Sequence, residues 1–361
     1  MRLNKLLLAV ALLLFISCST TKNNTESALY GKKAIKASML KVFEWQLQHP
    51  VVGNAKNADD WARAVFYSGI MRAYSSTKEK PYYDAAFKWS DSLKFQLANR
   101  LRHADDHTRG QTFLALYEIK KDPAMLTPTK KGFDSLMLTP KAGRDEWWWC
   151  DALFMAPPVL VRLAEITKDQ KYNVFLTQMW WDTTDFLFDK EENLYYRDKS
   201  FFARRTATGK KVFWSRGNGW VLGGLVQVLE HLPKSDPSYQ KYVDLYLKMT
   251  KKVALLQHED GLWRPNLGDP AEYTNKETSG SGFFIFALAW GINNGYLSGE
   301  TYLPIVKKGW KGLNEAVTPE GKLTWVQKIG SKPEGVKSED NQEYGTGAFL
   351  MAGTEMLKLK L

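Results

Sequence analysis

Helical stretches recur in pairs along this chain, and the repeat constrains the fold more than any single motif. Trp61 to Tyr74 carries apolar residues at helical spacing (Trp61, Val65, Phe66, Ile70, Met71). A turn at Lys78-Glu79-Lys80-Pro81 follows, then a second helix from about Tyr82 to Leu97. The pattern returns as Thr108–Tyr117 with Met125–Leu136, Asp151–Ile166 with Tyr172–Phe186, Gly219–Leu229 with Tyr239–Leu256, and Thr278–Trp290 with Tyr302–Val317. Gly345–Leu357 lacks a following partner and Ala28–Gln48 lacks a preceding one, so the two ends complete a sixth pair. The first helix of each pair opens on small residues (Gly110, Ala152, Gly217, Gly219, Gly280, Gly345, Gly347), which allow close packing. The second helices carry more charge (Lys88, Asp91, Lys94; Lys241, Asp244, Lys248), as an outer layer must. The expectation is an all-α chain with one domain over residues 28–361, a closed (α/α)6 toroid of six helix pairs. An open helical solenoid is the alternative, and the unpaired end helices favour closure. One short hairpin is expected within Phe201–Phe213, because Thr206-Ala207-Thr208-Gly209 has turn character.

Ahead of the repeat, Met1 to Ser17 has a short basic start (Arg2, Lys5) and an apolar run from Leu6 to Ile16, too short for a membrane span and suited to an export signal. Phe15-Ile16-Ser17-Cys18 resembles a bacterial lipobox, which implies cleavage before Cys18, lipid on its sulfur, and a polar tether over residues 18–27. The expected place is exported and lipid-anchored, facing the periplasm, with the membrane touched only through Cys18. Without the leader, 48 basic residues face 39 acidic ones, a net charge of about +9, which suits an anionic ligand. The bases are scattered and no nucleic-acid motif accompanies them, so acidic sugar is the favoured partner and nucleic acid is not. With Cys18 lipidated, Cys150 stands alone and no internal disulfide is possible. No Cys/His cluster has metal-ligand spacing and no glycine loop suits a phosphate, so neither metal nor cofactor is expected.

In a ring of helix pairs the turns before the inner helices line one mouth, and here those turns are rich in chemistry. They read Asp59-Asp60-Trp61, His103-Ala104-Asp105-Asp106-His107, Trp147-Trp148-Trp149-Cys150-Asp151, Trp214-Ser215-Arg216-Gly217-Asn218-Gly219-Trp220, Lys276-Glu277-Thr278 and Glu343-Tyr344-Gly345. Asp151 follows three tryptophans and precedes an apolar helix. A carboxyl beside an aromatic wall has its pKa raised, which a proton donor near neutrality needs. A lone Asp there is ordinarily a helix cap. Six such turns aimed at one mouth make a pocket the better reading.

Three stretches, Asp105-Asp106-His107 with Gly110-Gln111, Trp149 through Pro157, and Trp214 through Trp220, resemble the unsaturated uronyl hydrolases of glycoside hydrolase families 105 and 88, over nearly the whole mature chain. Family 105, the unsaturated rhamnogalacturonyl hydrolase group, is the more similar. The resemblance implies removal of a C4=C5 unsaturated uronic acid from the non-reducing end of lyase-generated oligosaccharides, by hydration of the vinyl ether. It implies Asp151 as proton donor and activator of water, one of Asp105 and Asp106 as the assisting carboxylate, and Trp149, Trp214, Arg216 and Trp220 around the sugar. Trp61 matches a further stacking residue. Arg197 lies where the family uses another pocket residue. His107, beside the acidic pair, is placed to hydrogen-bond the sugar or tune an Asp. Arg216, the only base inside the three motifs, is suited to a fork-shaped contact with the uronate.

Pectin, ulvan and arabinogalactan fragments, glucuronyl or galacturonyl, are all compatible. An inverting glycosidase for saturated sugars, using Glu277 or Glu343, is a rival reading. A glycan-binding lipoprotein without activity is another.

Overall fold

The computed structural model describes residues 29–51 and 61–361. The leader, Cys18, most of the tether region, Asp59 and Asp60 lie outside the described residues. Twelve long helices carry the described chain. In order they are α1 (Lys32–Gln48), α2 (Trp61–Thr77), α3 (Lys80–Ser92), the single turn α4 (Ala104–His107), α5 (Arg109–Lys120), α6 (Thr127–Met137), the short α7 (Gly143–Glu146) and α8 (Ala152–Met155), then α9 (Pro157–Thr167) and α10 (Lys171–Leu187). A two-stranded ribbon, β1 (Phe188–Asp189) and β2 (Leu194–Tyr195), precedes α11 (Ser215–His231), α12 (Tyr239–Ala254), α13 (Thr278–Asn293), α14 (Gly299–Glu315) and α15 (Glu343–Met356).

The inner helices pack in the cyclic order α2, α5, α9, α11, α13, α15 and back to α2, so the ring closes. α1 packs on α15 and supplies its outer partner, as the unpaired ends require. Layering follows from composition. Every residue of α13 from Thr278 to Gly291 is buried, as in a helix surrounded by others. α12 buries only one stripe (Tyr239, Tyr242, Val243, Tyr246, Met249, Thr250, Val253), at the three- and four-residue spacing of an outer helix.

Glycine sets the tightest inner crossings. A Cβ on Gly69 would fall 2.5 Å from the Gly347 carbonyl oxygen, and one on Gly224 would fall 2.0 Å from that of Leu153. A helix interior normally loses about 1 kcal/mol by carrying glycine instead of alanine. Here the backbones could not otherwise approach.

The turn expected at Thr206–Gly209 is present. Gly209 has φ +81, and a single antiparallel bridge joins Arg205 to Lys211. The regular ladder, however, is β1–β2, with Phe188 opposite Tyr195. The chain around 188–195 lacks an alternating pattern because side-chain contacts fix it. Asn218 accepts from the Tyr195 amide at 2.7 Å and donates to the Tyr195 carbonyl at 3.0 Å, imitating a strand neighbour. This asparagine of the Trp214–Trp220 stretch therefore anchors the segment that carries Arg197.

Candidate active site

Asp151 immediately precedes α8, yet its side chain makes no capping bond. The carboxyl is buried beside Cys150, whose Sγ lies 3.6 Å from Oδ2. Arg197, leaving β2, brings Nε to 3.7 Å from the same oxygen. Burial raises the Asp151 pKa, against the opposing pull of Arg197 and Arg216. An ordinary helix cap would show the reverse: bonded to amides and held low.

The two acids of α4 differ. Asp106 is fully engaged, receiving the Arg100 amide at 2.7 Å and its Nε at 3.0 Å. Asp105 makes no such bond and faces Asp151. Burial first, and the Asp151 charge second, push it up to about 7, against the pull of Arg100. The charge of Asp151 helps to keep Asp105 protonated toward neutrality. Asp105 is thus the partner of Asp151, and Asp106 fixes the loop that presents it.

His107 is not in the pocket. Its Nε2 lies 2.8 Å from the Leu101 carbonyl, its ring meets Phe133 of α6 at 4.7 Å, and burial lowers its pKa to about 4. The turn of α4 carries it against the outer helix α6. His103 holds the place expected of it. Its ring packs 4.8 Å from Trp149 and its Nδ1 is 3.6 Å from Asp105. Only Ala104 separates His103 from Asp105 along the chain, and the extended backbone of His103 before α4 reveals that they meet.

The tryptophans divide as well. Trp149 joins the wall beside Asp105, and Trp61 stacks on Tyr344 at 5.3 Å. Trp214 is almost wholly buried, donating Nε1 to Gln327 at 2.9 Å. Trp220 is sealed among Phe283 at 4.6 Å, Phe154 at 4.9 Å and the edge of Trp61 at 6.0 Å. It forms the floor of the ring and offers no stacking face.

Arg216 departs most from expectation. It has no exposed surface, and its terminal nitrogens donate to the carbonyls of Gln327 at 2.8 Å and Lys328 at 3.0 Å. Its guanidinium lies over Trp214 at 4.4 Å and Tyr344 at 4.7 Å. The fork expected to meet a carboxylate is spent on main chain, so its charge reaches the pocket only as a field on Asp151. Arg216→Lys is accordingly expected to leave one carbonyl unsatisfied, costing roughly 1–3 kcal/mol. Thermal melting would show a lowered midpoint. A wild-type midpoint with a raised KM would put Arg216 on the ligand instead.

Glu277 is likewise occupied. It caps α13, accepting from the amides of Ser279 at 2.9 Å and Gly280 at 2.7 Å and from that of Gln327 at 3.2 Å. Glu343 accepts from Arg63 Nε at 3.1 Å. The acid and base of the inverting reading have no free carboxylate at these two places. Among the described residues, no group of three or more His, Cys, Asp or Glu is arranged to hold a metal ion.

A family model described as Glycosyl Hydrolase Family 88 matches residues 32–360. The unsaturated 3S-rhamnoglycuronyl hydrolase of Formosa agariphila is 40% identical over 374 aligned positions, covering 97% of this chain and 99% of the relative. Among solved structures, a glycosyl hydrolase family 88 protein from Bacteroides vulgatus superposes with a TM-score of 0.84 at 30% identity, covering 91% of this chain and 99% of that one. The polysaccharide lyase BACCELL_00875 superposes with a TM-score of 0.83 at 32% identity, covering 90% of this chain and 97% of that one.

Proposed function

The chain belongs to Glycosyl Hydrolase Family 88, and from that premise we propose that Asp151 and Asp105 together hydrate the vinyl ether of its substrate. The enzyme is a glycoside hydrolase that removes a C4=C5 unsaturated uronic acid from lyase-generated oligosaccharides. The single observation carrying the assignment of roles is the pair of carboxyls at the pocket, buried Asp151 and partly exposed Asp105, each with a raised pKa.

In the proposed sequence Asp151 delivers its proton to C4. Positive charge then spreads over C5 and the ring oxygen, and the carboxyl of Asp105 lies on the pocket side to stabilise it. Asp151, now ionised beside Arg197, takes a proton from water as that water bonds to C5. The acid returns to its starting state. The C5 hemiketal opens by breaking the bond from C5 to the ring oxygen, leaving a ketone at C5 and a hemiacetal at C1. That hemiacetal expels the next sugar as an alcohol and becomes an aldehyde. Proton transfer to carbon is slow without a positioned acid, which is why burial of Asp151 matters.

Arg197 replaces Arg216 as the proposed cation for the uronate. Its side chain retains 15% of its exposure and touches Asp151, whereas Arg216 is closed in. Trp149 and Trp61 supply the aromatic walls. The parent polymer is an acidic one yielding unsaturated uronides on lyase cleavage, such as ulvan, pectin or arabinogalactan. Lipid attachment at Cys18 belongs to the same proposal and rests on the lipobox-like Phe15–Cys18 stretch.

The test is to incubate the protein with lyase products and follow the ultraviolet absorbance of the conjugated C4=C5 bond. Its loss is expected, together with an equimolar amount of the released second sugar. Rising absorbance on the uncut polymer would make the protein a lyase, and an unchanged signal on all three product sets would overturn the proposal.

A further inference from the structure

Trp148 is the one aromatic residue among the large apolar side chains exposed in the described chain, at 43% of its surface. It is the middle of the three tryptophans before Asp151, and the reaction as derived does not use it. Its neighbours differ: Trp147 is fully buried and Trp149 nearly so.

The position of Trp148 is specific. Its ring meets that of Trp149 at 4.7 Å, so the aromatic wall of the pocket continues outward through it. The Arg197 guanidinium lies 5.0 Å from its ring centre, and the same side chain reaches Asp151. One arginine therefore spans from the reacting acid to the exposed indole. Beyond Trp148 opens a cavity of about 400 Å³, bounded by Phe186, Asp145, Arg144, Asp198, Lys199 and Ser200.

The polar groups of this cavity are mostly committed. Arg144 donates Nε to Asp182 at 2.9 Å, and Asp198 pairs with Arg197 at 2.7 Å and receives the Ser200 amide at 2.8 Å. Asp145 is exposed and adds one negative charge. Among the described residues no carboxylate lies within ion-pair distance of Lys199. The exposed part of the indole continues the aromatic wall to the rim of this cavity, where a ring entering the pocket could lie against it. Sugars present faces of C–H groups to such rings, and the Lys199 ammonium lining the same cavity suits an anionic substituent on the same sugar.

We propose that Trp148 is the platform for the leaving sugar, the residue released when the unsaturated uronide is cleaved, and that Lys199 favours a leaving sugar bearing a sulfate or carboxylate. This rests on the hydrolase reading and deepens it. The unsaturated ring lies inward against Trp149 and the acids, the glycosidic oxygen passes Arg197, and the second ring settles on Trp148.

The experiment compares wild type, Trp148→Ala and Lys199→Ala on three substrates sharing one unsaturated uronic acid: its methyl glycoside, a disaccharide with a neutral second sugar, and the same disaccharide sulfated. Trp148→Ala is expected to raise KM about tenfold on both disaccharides, with kcat little changed and the methyl glycoside unaffected. Lys199→Ala is expected to raise KM several-fold on the sulfated disaccharide alone. Equal losses on all three substrates would make Trp148 a support for the pocket and overturn the proposal, as would unchanged disaccharide kinetics. An unchanged sulfated KM in Lys199→Ala would overturn the anionic preference. Failure of the wild type on every substrate would instead remove the hydrolase reading itself.

Discussion

Asp151→Asn is expected to lose turnover by at least 1,000-fold, within the roughly 100- to 10,000-fold range of general acid–base help and toward its upper end, because this carboxyl serves both the protonation of C4 and the activation of water. The fold should remain. The side chain caps nothing, and it lies beside the Cys150 thiol and Arg197 Nε, so the amide keeps the volume without breaking a helix end. Substrate binding should survive for the same reason. A helix-capping aspartate would give the opposite result, stability lost and rate kept. The measurements are the thermal midpoint and the decay of the C4=C5 chromophore on one purified sample. A variant with near-wild-type rate removes Asp151 from the chemistry, and one that unfolds removes it from the proposed role by making it structural.

Asp105→Asn should separate rate from stability in a pH-dependent way. The native carboxyl titrates near 7, pushed up by burial and then by Asp151, while the unfolded one titrates near its ordinary value of about 4. Between those values the native state holds a proton that the unfolded state has released. The stability tied to that proton is fully present below about pH 4 and is lost as pH rises through about 7. An asparagine cannot ionise, so the variant escapes that loss. Its thermal midpoint should exceed that of wild type above about pH 7, reflecting a stability gain of about a few kcal/mol at most, and the gain should shrink toward acid pH. Turnover should meanwhile fall by about 100-fold, since the assisting carboxyl is gone. A midpoint difference that does not vary with pH would mean that Asp105 carries no shifted proton.

The ring was legible in the sequence because both periods were present at once. Spacing within a helix marked each element, and the alternation of smooth and charged helices marked the two layers. Asp151 was legible because burial beside tryptophan is a local property, written in adjacent residues. What failed was direction. Asp105 and Asp106 are equivalent as letters, and only the Arg100 contacts decide which faces the pocket. His107 sits one residue further round the same turn and points into the outer layer. Arg216 has the right chemistry and the right neighbours, but Gln327 and Lys328, more than a hundred residues away, claim its nitrogens. Arg197 carries no motif because it is placed by a strand end and by the Asn218 clamp, neither of which has a strong signature.

The packing of α1 and α2 on α15 has a consequence in time. The ring has one seam, and it joins the earliest described helices to the last. The Arg63–Glu343 ion pair and the Trp61–Tyr344 stack both lie on that seam, and the latter also lines the pocket. Every other inner neighbour lies closer along the chain, and the loop closed here is the longest, so its entropy is the last to be recovered. A chain emerging from a ribosome can stack helix upon helix while its sugar pocket still lacks a wall. Catalytic competence therefore arrives in a single late event, when the far end of the polymer returns to meet its beginning.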